Sequence, residues 1–130
     1  MGIKHMVTEP MLKQYLLSKP EAQEDFPFGP EAAVYKICGK MFALVFHQQG
    51  ECRVNLKCDP QEAIELRHVF DAVLPGYHMN KRHWNTIRLD GSLPRSEIER
   101  MVDNSFRLVV KGLTKPVRKG LALRSGETFS

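Results

Sequence analysis

The 130-residue sequence contains no apolar run approaching the roughly 18 residues that a membrane-crossing helix requires, which excludes a helical bilayer span. Its cysteines are only three, Cys38, Cys52 and Cys58, an odd set without a Cys-x-x-Cys pair. That argues against a disulfide framework and against the usual zinc spacings, including a site built from Cys52, Cys58 and a histidine. No apolar signal stretch opens the chain, where Lys4 is followed by His5, Thr8, Glu9 and Pro10. The expected setting is therefore a reducing cytoplasm, with the cysteines as small buried hydrophobes in or beside strands. Gly-x-Gly-x-x-Gly, P-loop, Gly-x-Ser-x-Gly and His-Glu-x-x-His motifs are all missing, and the nine glycines are scattered. No enzyme activity, cofactor or metal site is expected. Internal repeats and low-complexity segments are absent too.

What is present is ordinary globular composition, with 42% hydrophobic and 26% charged residues. The length suits one domain spanning 1–130, with a flexible leader at 1–7 and a flexible tail at 125–130. The net charge of +4 is uneven. Residues 1–75 hold 8 Lys+Arg against 10 Asp+Glu, whereas residues 76–130 hold 11 against 5. A basic half of this kind suits a polyanionic partner, and it is equally common on solvated protein surfaces.

Thr8 is an N-cap for a helix over 9–18, whose apolar stripe is Met11, Leu12, Tyr15 and Leu16. Residues 20–31 read as an acidic loop, with Phe26 and Phe28 tucked onto the core. Three strands follow at 33–38, 41–47 and 53–58, the first two joined by a Gly39-Lys40 type II′ turn. Alternation in the third puts Val54, Leu56 and Cys58 inside and Arg53, Asn55 and Lys57 on an open face. Asp59-Pro60-Gln61-Glu62 starts a helix over 60–72 with Ala63, Ile64, Leu66, Val69 and Phe70 buried. An irregular strand near 77–79 and a strand at 84–89 precede a Ser92-capped helix over 94–112. That helix has Ile98, Met101, Val102, Ser105, Val109 and Leu113 as its stripe. A short helix at 116–124 completes the chain. The fold class is α+β, a two-layer sandwich with one antiparallel sheet and helices on one face.

The chemically densest segment is Tyr77-His78-Met79-Asn80-Lys81-Arg82-His83-Trp84-Asn85-Thr86. Lys81 and Arg82 can hold phosphate, one as a point charge and one as a planar fork. Trp84, Tyr77 and His83 can stack on bases, and Asn80 and Asn85 can read base edges. With His78 and the nearby Arg88, these residues form a candidate nucleic-acid-binding surface at 77–88. His78 and His83 have no carboxylate at a spacing that suggests a triad or a metal set. Arg95, Arg100, Arg107 and Lys111 fall on the outer face of the long helix, where Glu97 and Glu99 share the surface.

The run HMNKRHWNTIRLDGSLPRSEIERMVDNSF, His78 to Phe106, resembles the signature of the MmcQ/YjbR-like proteins. The segments YKICGKMFALV and VNLKCDP fit the same pattern, and the likeness extends from about Met11 to Leu121. The resemblance implies a two-layer fold in α-β3-α-β2-α order, similar to type III secretion chaperones. It also implies a small cytoplasmic DNA-binding protein with a double-wing motif. His78, Asn80, Lys81, His83 and Trp84 match the family's central motif, which offers no catalytic residues to transfer. Three functions are therefore weighed: a monomeric, non-enzymatic DNA-binding module; a protein-binding or chaperone-like module; and a small-molecule binder centred on His78, Lys81 and His83.

Overall fold

The computed structural model describes residues 6–129. Helix α1 (Glu9–Leu17) starts at Thr8, whose hydroxyl accepts from the Met11 amide. Strands β1 (Gln23–Asp25), β2 (Ala33–Ile37), β3 (Lys40–Gln48) and β4 (Glu51–Lys57) follow. Helix α2 (Pro60–Val69) begins at Asp59, whose carboxylate accepts from the Gln61 and Glu62 amides, with Pro60 preset for the first turn. Then come β5 (Val73–Pro75), β6 (Trp84–Arg88), α3 (Arg95–Lys111) and α4 (Lys115–Ser125). The six strands form one antiparallel sheet in the order β1-β2-β3-β4-β6-β5. No described helix is long and apolar enough to cross a membrane.

The α+β reading with helices on one face is correct, and its details change at turns and edges. The acidic segment at 20–31 contains a short edge strand, β1, because Glu24 there accepts from the buried Tyr35 hydroxyl at 2.5 Å. Ile37 pairs with Lys40, so the first hairpin turns at Cys38-Gly39 rather than Gly39-Lys40. Both residues have positive φ, 49° and 80°, the signature of a type I′ turn. Cys38 is consequently exposed instead of buried. The strand placed near 77–79 lies at Val73–Pro75, and the segment after it is a loop. Phe26 and Phe28 stay exposed, Phe28 at 74%, as do Ile64 and Val69 of α2. Ser92 bonds to Asp90 in a turn and does not cap α3. Of the expected leader and tail, Val7 is buried in the core and Phe129 packs toward Phe106. Residues 1–5 and 130 of that expectation lie outside the described residues.

Helix α3 matches its expected stripe: Ile98, Met101, Val102, Ser105 and Val109 are all buried, as is Leu113 just beyond its end. Ser105 solves a local problem. Between Tyr35 and Lys36 the β2–β3 register shifts, leaving Phe42 as an extra residue on β3. The β3–β4 ladder stops at Ala43 and Leu56. Beyond it, the Ser105 hydroxyl donates to the Phe42 carbonyl at 2.6 Å and accepts from the Lys57 amide at 2.8 Å. One side chain thus satisfies two groups that the bulge would leave unpaired, and ties α3 to two strands.

On the other face, Glu51 gathers two arginines. Its Oε1 accepts from Arg53 Nε at 3.0 Å and Arg88 Nε at 2.8 Å, and its Oε2 accepts from Arg88 Nη2 at 3.1 Å. Hydrogen bonding from Arg88 holds the Glu51 carboxyl below the ordinary carboxylate range.

Two outcomes follow from these contacts. Ser105→Ala strands a buried amide and a carbonyl, so urea unfolding should show a loss of about 1–3 kcal/mol; an unchanged midpoint would refute the bridging role. For Glu51 the folded carboxyl titrates below the unfolded one. Its stabilisation is complete above the unfolded value, about 4.3, and is lost as pH falls through the lowered folded value. Glu51→Gln should therefore be less stable than the wild type at neutral pH. The two curves should converge in acid, and parallel curves would contradict the linkage.

Candidate functional site

The segment from Gly76 to His83 links two neighbouring antiparallel strands, yet it is fastened to the sheet at several points. At its start the backbone presses against Trp84. A Cβ on Gly76 would lie 2.8 Å from both the Cβ and the carbonyl oxygen of Trp84, so no side chain fits there. The Gly76 amide donates to that same carbonyl at 3.0 Å.

Tyr77 then docks by its main chain. Its amide donates to Thr86 Oγ1 at 2.8 Å, and its carbonyl accepts from Asn55 Nδ2 at 3.0 Å. Thr86 in turn donates to Asn55 Oδ1 at 2.5 Å, closing a ring of three bonds. Asn55 and Thr86 face each other across β4 and β6, and both are 0% exposed. This corrects the expectation of an open face carrying Asn55: the loop covers it. The Tyr77 ring stacks on Phe46 at 5.6 Å, and the His78 ring lies 4.1 Å from Tyr77.

The far side of the loop is held by Arg67, which sequence reasoning missed. From α2 its Nε donates to Asn85 Oδ1 at 2.9 Å and its Nη2 to the Lys81 carbonyl at 2.5 Å. Asn85 is itself buried and donates to the Ala63 carbonyl. The one sequence signal for Arg67 is its position four residues after Ala63, on the same helix face.

The seven candidate residues consequently divide. Asn80 builds the turn, accepting from the Arg82 amide through Oδ1 and from the His83 amide through its carbonyl. The His83 carbonyl accepts from the Cys58 amide, and Trp84 is half-buried under Gly76. Arg88 is engaged by Glu51, which raises its already high pKa further. Asn85, offered as a base reader, is inside the protein. His78, Lys81 and Arg82 remain exposed. The Lys81 ammonium meets only the Gly76 carbonyl, at 3.0 Å, and among the described residues neither Lys81 nor Arg82 has a carboxylate partner. Two uncompensated cations on a pinned backbone, beside a tyrosine–histidine pair, can hold an anion and stack on a planar group.

The other basic residues behave in two ways. Arg95 pairs with Glu99, Arg100 with Glu97 and Glu62, and Arg124 with Glu21. Arg118 donates to the carbonyls of Lys111 and Leu113. Arg107 and Lys111 lie beyond the reach of Glu97 and Glu99: no acidic residue occurs between Asp103 and Glu127. With Lys115 and Lys119 they form a second exposed cationic stretch.

A small-molecule site at His78, Lys81 and His83 would need a concavity, and the clearest cavities of the described residues are lined by other groups. Cys52 and Cys58 lie six residues apart along one strand direction, about 20 Å, so they cannot share a metal ion. Burial and the Glu62 carboxylate push the Cys58 thiol up to about 12.

Comparison with known proteins places this architecture. The YjbR family profile matches residues 17–108. The chain is 38% identical over 108 residues to YjbR of Escherichia coli K12, covering 83% of this chain and 92% of that protein. It is 36% identical over 107 residues to YbdF of Escherichia coli O157:H7, covering 82% and 88%. The crystal structure of Deinococcus radiodurans protein DR2400, with domain DUF419, superposes with a TM-score of 0.83 at 37% identity, over 96% of this chain and 92% of that one. A Pseudomonas syringae crystal structure superposes at 0.70 with 28% identity, over 78% and 97%. With a matched profile over most of its length and relatives of this similarity along the same span, the chain belongs to the YjbR family.

Proposed function

We propose that this protein is a non-enzymatic DNA-binding module that acts as a monomer in the cytoplasm and uses the loop and strand surface at 77–88. The observation that carries the reading is the pair Lys81 and Arg82, exposed without carboxylate partners on a loop whose backbone is fixed at both ends. A fixed loop loses little conformational freedom on binding, so more of the electrostatic attraction is realised as affinity. Lys81 contributes a point charge and Arg82 a two-pronged donor for phosphate oxygens. Tyr77 and His78 offer ring faces to an unstacked base. Asn80, His83 and Trp84 serve by holding this geometry, and Arg88 by locking β6 to Glu51. With few phosphate contacts, the binding is dominated by the backbone and weak in sequence preference.

The test is a fluorescence-anisotropy titration with duplex and single-stranded DNA at several salt concentrations. Each phosphate contact contributes about −0.9 to the slope of log K against log salt for duplex DNA, so Lys81→Ala/Arg82→Ala should flatten that slope by about 2. Arg88→Ala should leave the slope unchanged. No binding by the wild type at tens of micromolar and low salt would end the proposal. If instead Arg107→Ala/Lys111→Ala carried the loss, the interface would belong to the helical surface and not to the loop.

A further inference from the structure

On the face of the sheet opposite the loop, at the far end of β4 from the Trp84 pairing, three side chains of different ligand chemistry converge. His47 and Cys52 are cross-strand partners next to the Gln49-Gly50 turn, so the pleat directs both to the face where the helices pack. Helix α1 begins there and delivers Glu9 from its first turn. One ligand atom from each of the three lies within 4.8 Å of the others, and Glu9 Oε1 is 2.7 Å from His47 Nε2. A tetrahedral zinc ion with bonds of about 2.0–2.3 Å needs donors roughly 3.3–3.8 Å apart. Opening the Glu9–His47 hydrogen bond by about 0.6 Å, with the Cys52 sulfur kept or drawn in to about 3.5 Å from both, brings the group to that spacing.

The geometry points to a divalent metal site formed by Glu9, His47 and Cys52, with zinc as the ion that suits its donors. The set joins one thiolate, one imidazole and one carboxylate, the borderline-soft mixture zinc prefers, and three protein ligands leave a fourth position open. That position has room. Glu9 and His47 line a cleft of about 210 Å³ shared with Lys13, Pro30, Glu31 and Val45, large enough for water or a small anion. Lys13 does not block the site. Its ammonium is 3.2 Å from Glu9 Oε2, whereas His47 meets Oε1. It therefore orients the carboxylate, as outer partners of metal ligands do. In the free protein Cys52 is a thiol, since burial and the Glu9 charge push it up to about 12. Binding forms a zinc–sulfur bond and releases that one proton to solvent, with no change of oxidation state.

The test uses the full chain, freed of metal with a chelator and titrated with Co²⁺ under reducing conditions. One equivalent should produce tetrahedral ligand-field bands in the visible and a thiolate-to-cobalt charge-transfer band in the near ultraviolet, both erased by Zn²⁺. Cys52→Ser should remove the charge-transfer band and weaken binding at least tenfold. His47→Ala and Glu9→Gln should weaken it similarly, while Cys38→Ser/Cys58→Ser and His68→Ala should bind as the wild type does. Zn²⁺ should raise the thermal midpoint of the wild type and not that of the Cys52 variant, whose fold circular dichroism checks independently. No cobalt band in the wild type, or a band that survives Cys52→Ser, would overturn the site.

Discussion

A closed ring of three hydrogen bonds among Asn55, Thr86 and the Tyr77 backbone sets what the outer face of the sheet can do. Two polar side chains on neighbouring strands are buried completely, which would cost several kcal/mol if either were left without a partner. They avoid that cost by taking up the amide and carbonyl of Tyr77 as a third strand would, although no strand runs there. The loop is thereby fixed to the middle of β4 and β6 and not merely at its two ends. Everything exposed at 77–83 inherits its position from that bond ring, from Arg67 on the helix side, and from the glycine that lets the backbone touch Trp84.

A second device of the same kind acts on the inner face. Where the bulge at Phe42 ends the β3–β4 ladder, the Ser105 hydroxyl supplies both the donor and the acceptor that the ladder no longer provides. In each case a short polar side chain replaces a missing backbone partner, and in each case it couples elements distant in sequence. The sheet can then carry a bulge and a docked loop without buried side-chain polar atoms going unpaired among the described residues.

The helices and most strands were legible because their signals are local. The Asp59-Pro60 start, the Thr8 cap and the buried stripe of α3 each depend on residues within a few positions of one another. Errors arose where a partner far along the chain decides. Asn55 alternates as a solvent-facing residue should, and only the loop twenty-two residues later makes its face an interior. The extra residue at Phe42 is a property of pairing and leaves no mark in local composition. Ile64 and Val69 fit a helical stripe wider than the surface α2 has to cover, so they face outward. At the candidate site, the density of histidine, lysine and arginine was visible, but the division of labour was not. Asn80, Trp84 and Arg88 look like contact residues by type, yet the Asn80 side-chain oxygen and the Arg88 guanidinium are engaged within the protein. The trio Glu9, His47 and Cys52 was hidden for the same reason: its members come from a helix and two strands, with no motif spacing among them.

Backbone strain separates the loop from the other turns. Among the described residues four non-glycine positions have positive φ: Glu21, Cys38, Gln49 and His78. Cys38 and Gln49 each precede a glycine in a tight hairpin, where that geometry is what joins two right-twisted strands. Glu21 lies in the turn after α1 and is held by Arg124 through two bonds. His78 closes no two-residue hairpin, and its left-handed conformation costs about 1–2 kcal/mol. The adjoining Tyr77 bonds and the Tyr77–His78 ring contact offset that cost, and the result is a turn closed by the Met79 amide donating to the Gly76 carbonyl at 3.3 Å, after which Lys81 and Arg82 are exposed. Lys81 and Arg82 stand outside because the residues before them are bent by bonds inside. Their exposure is therefore a consequence of the buried polar ring and not of a slack connection between two strands.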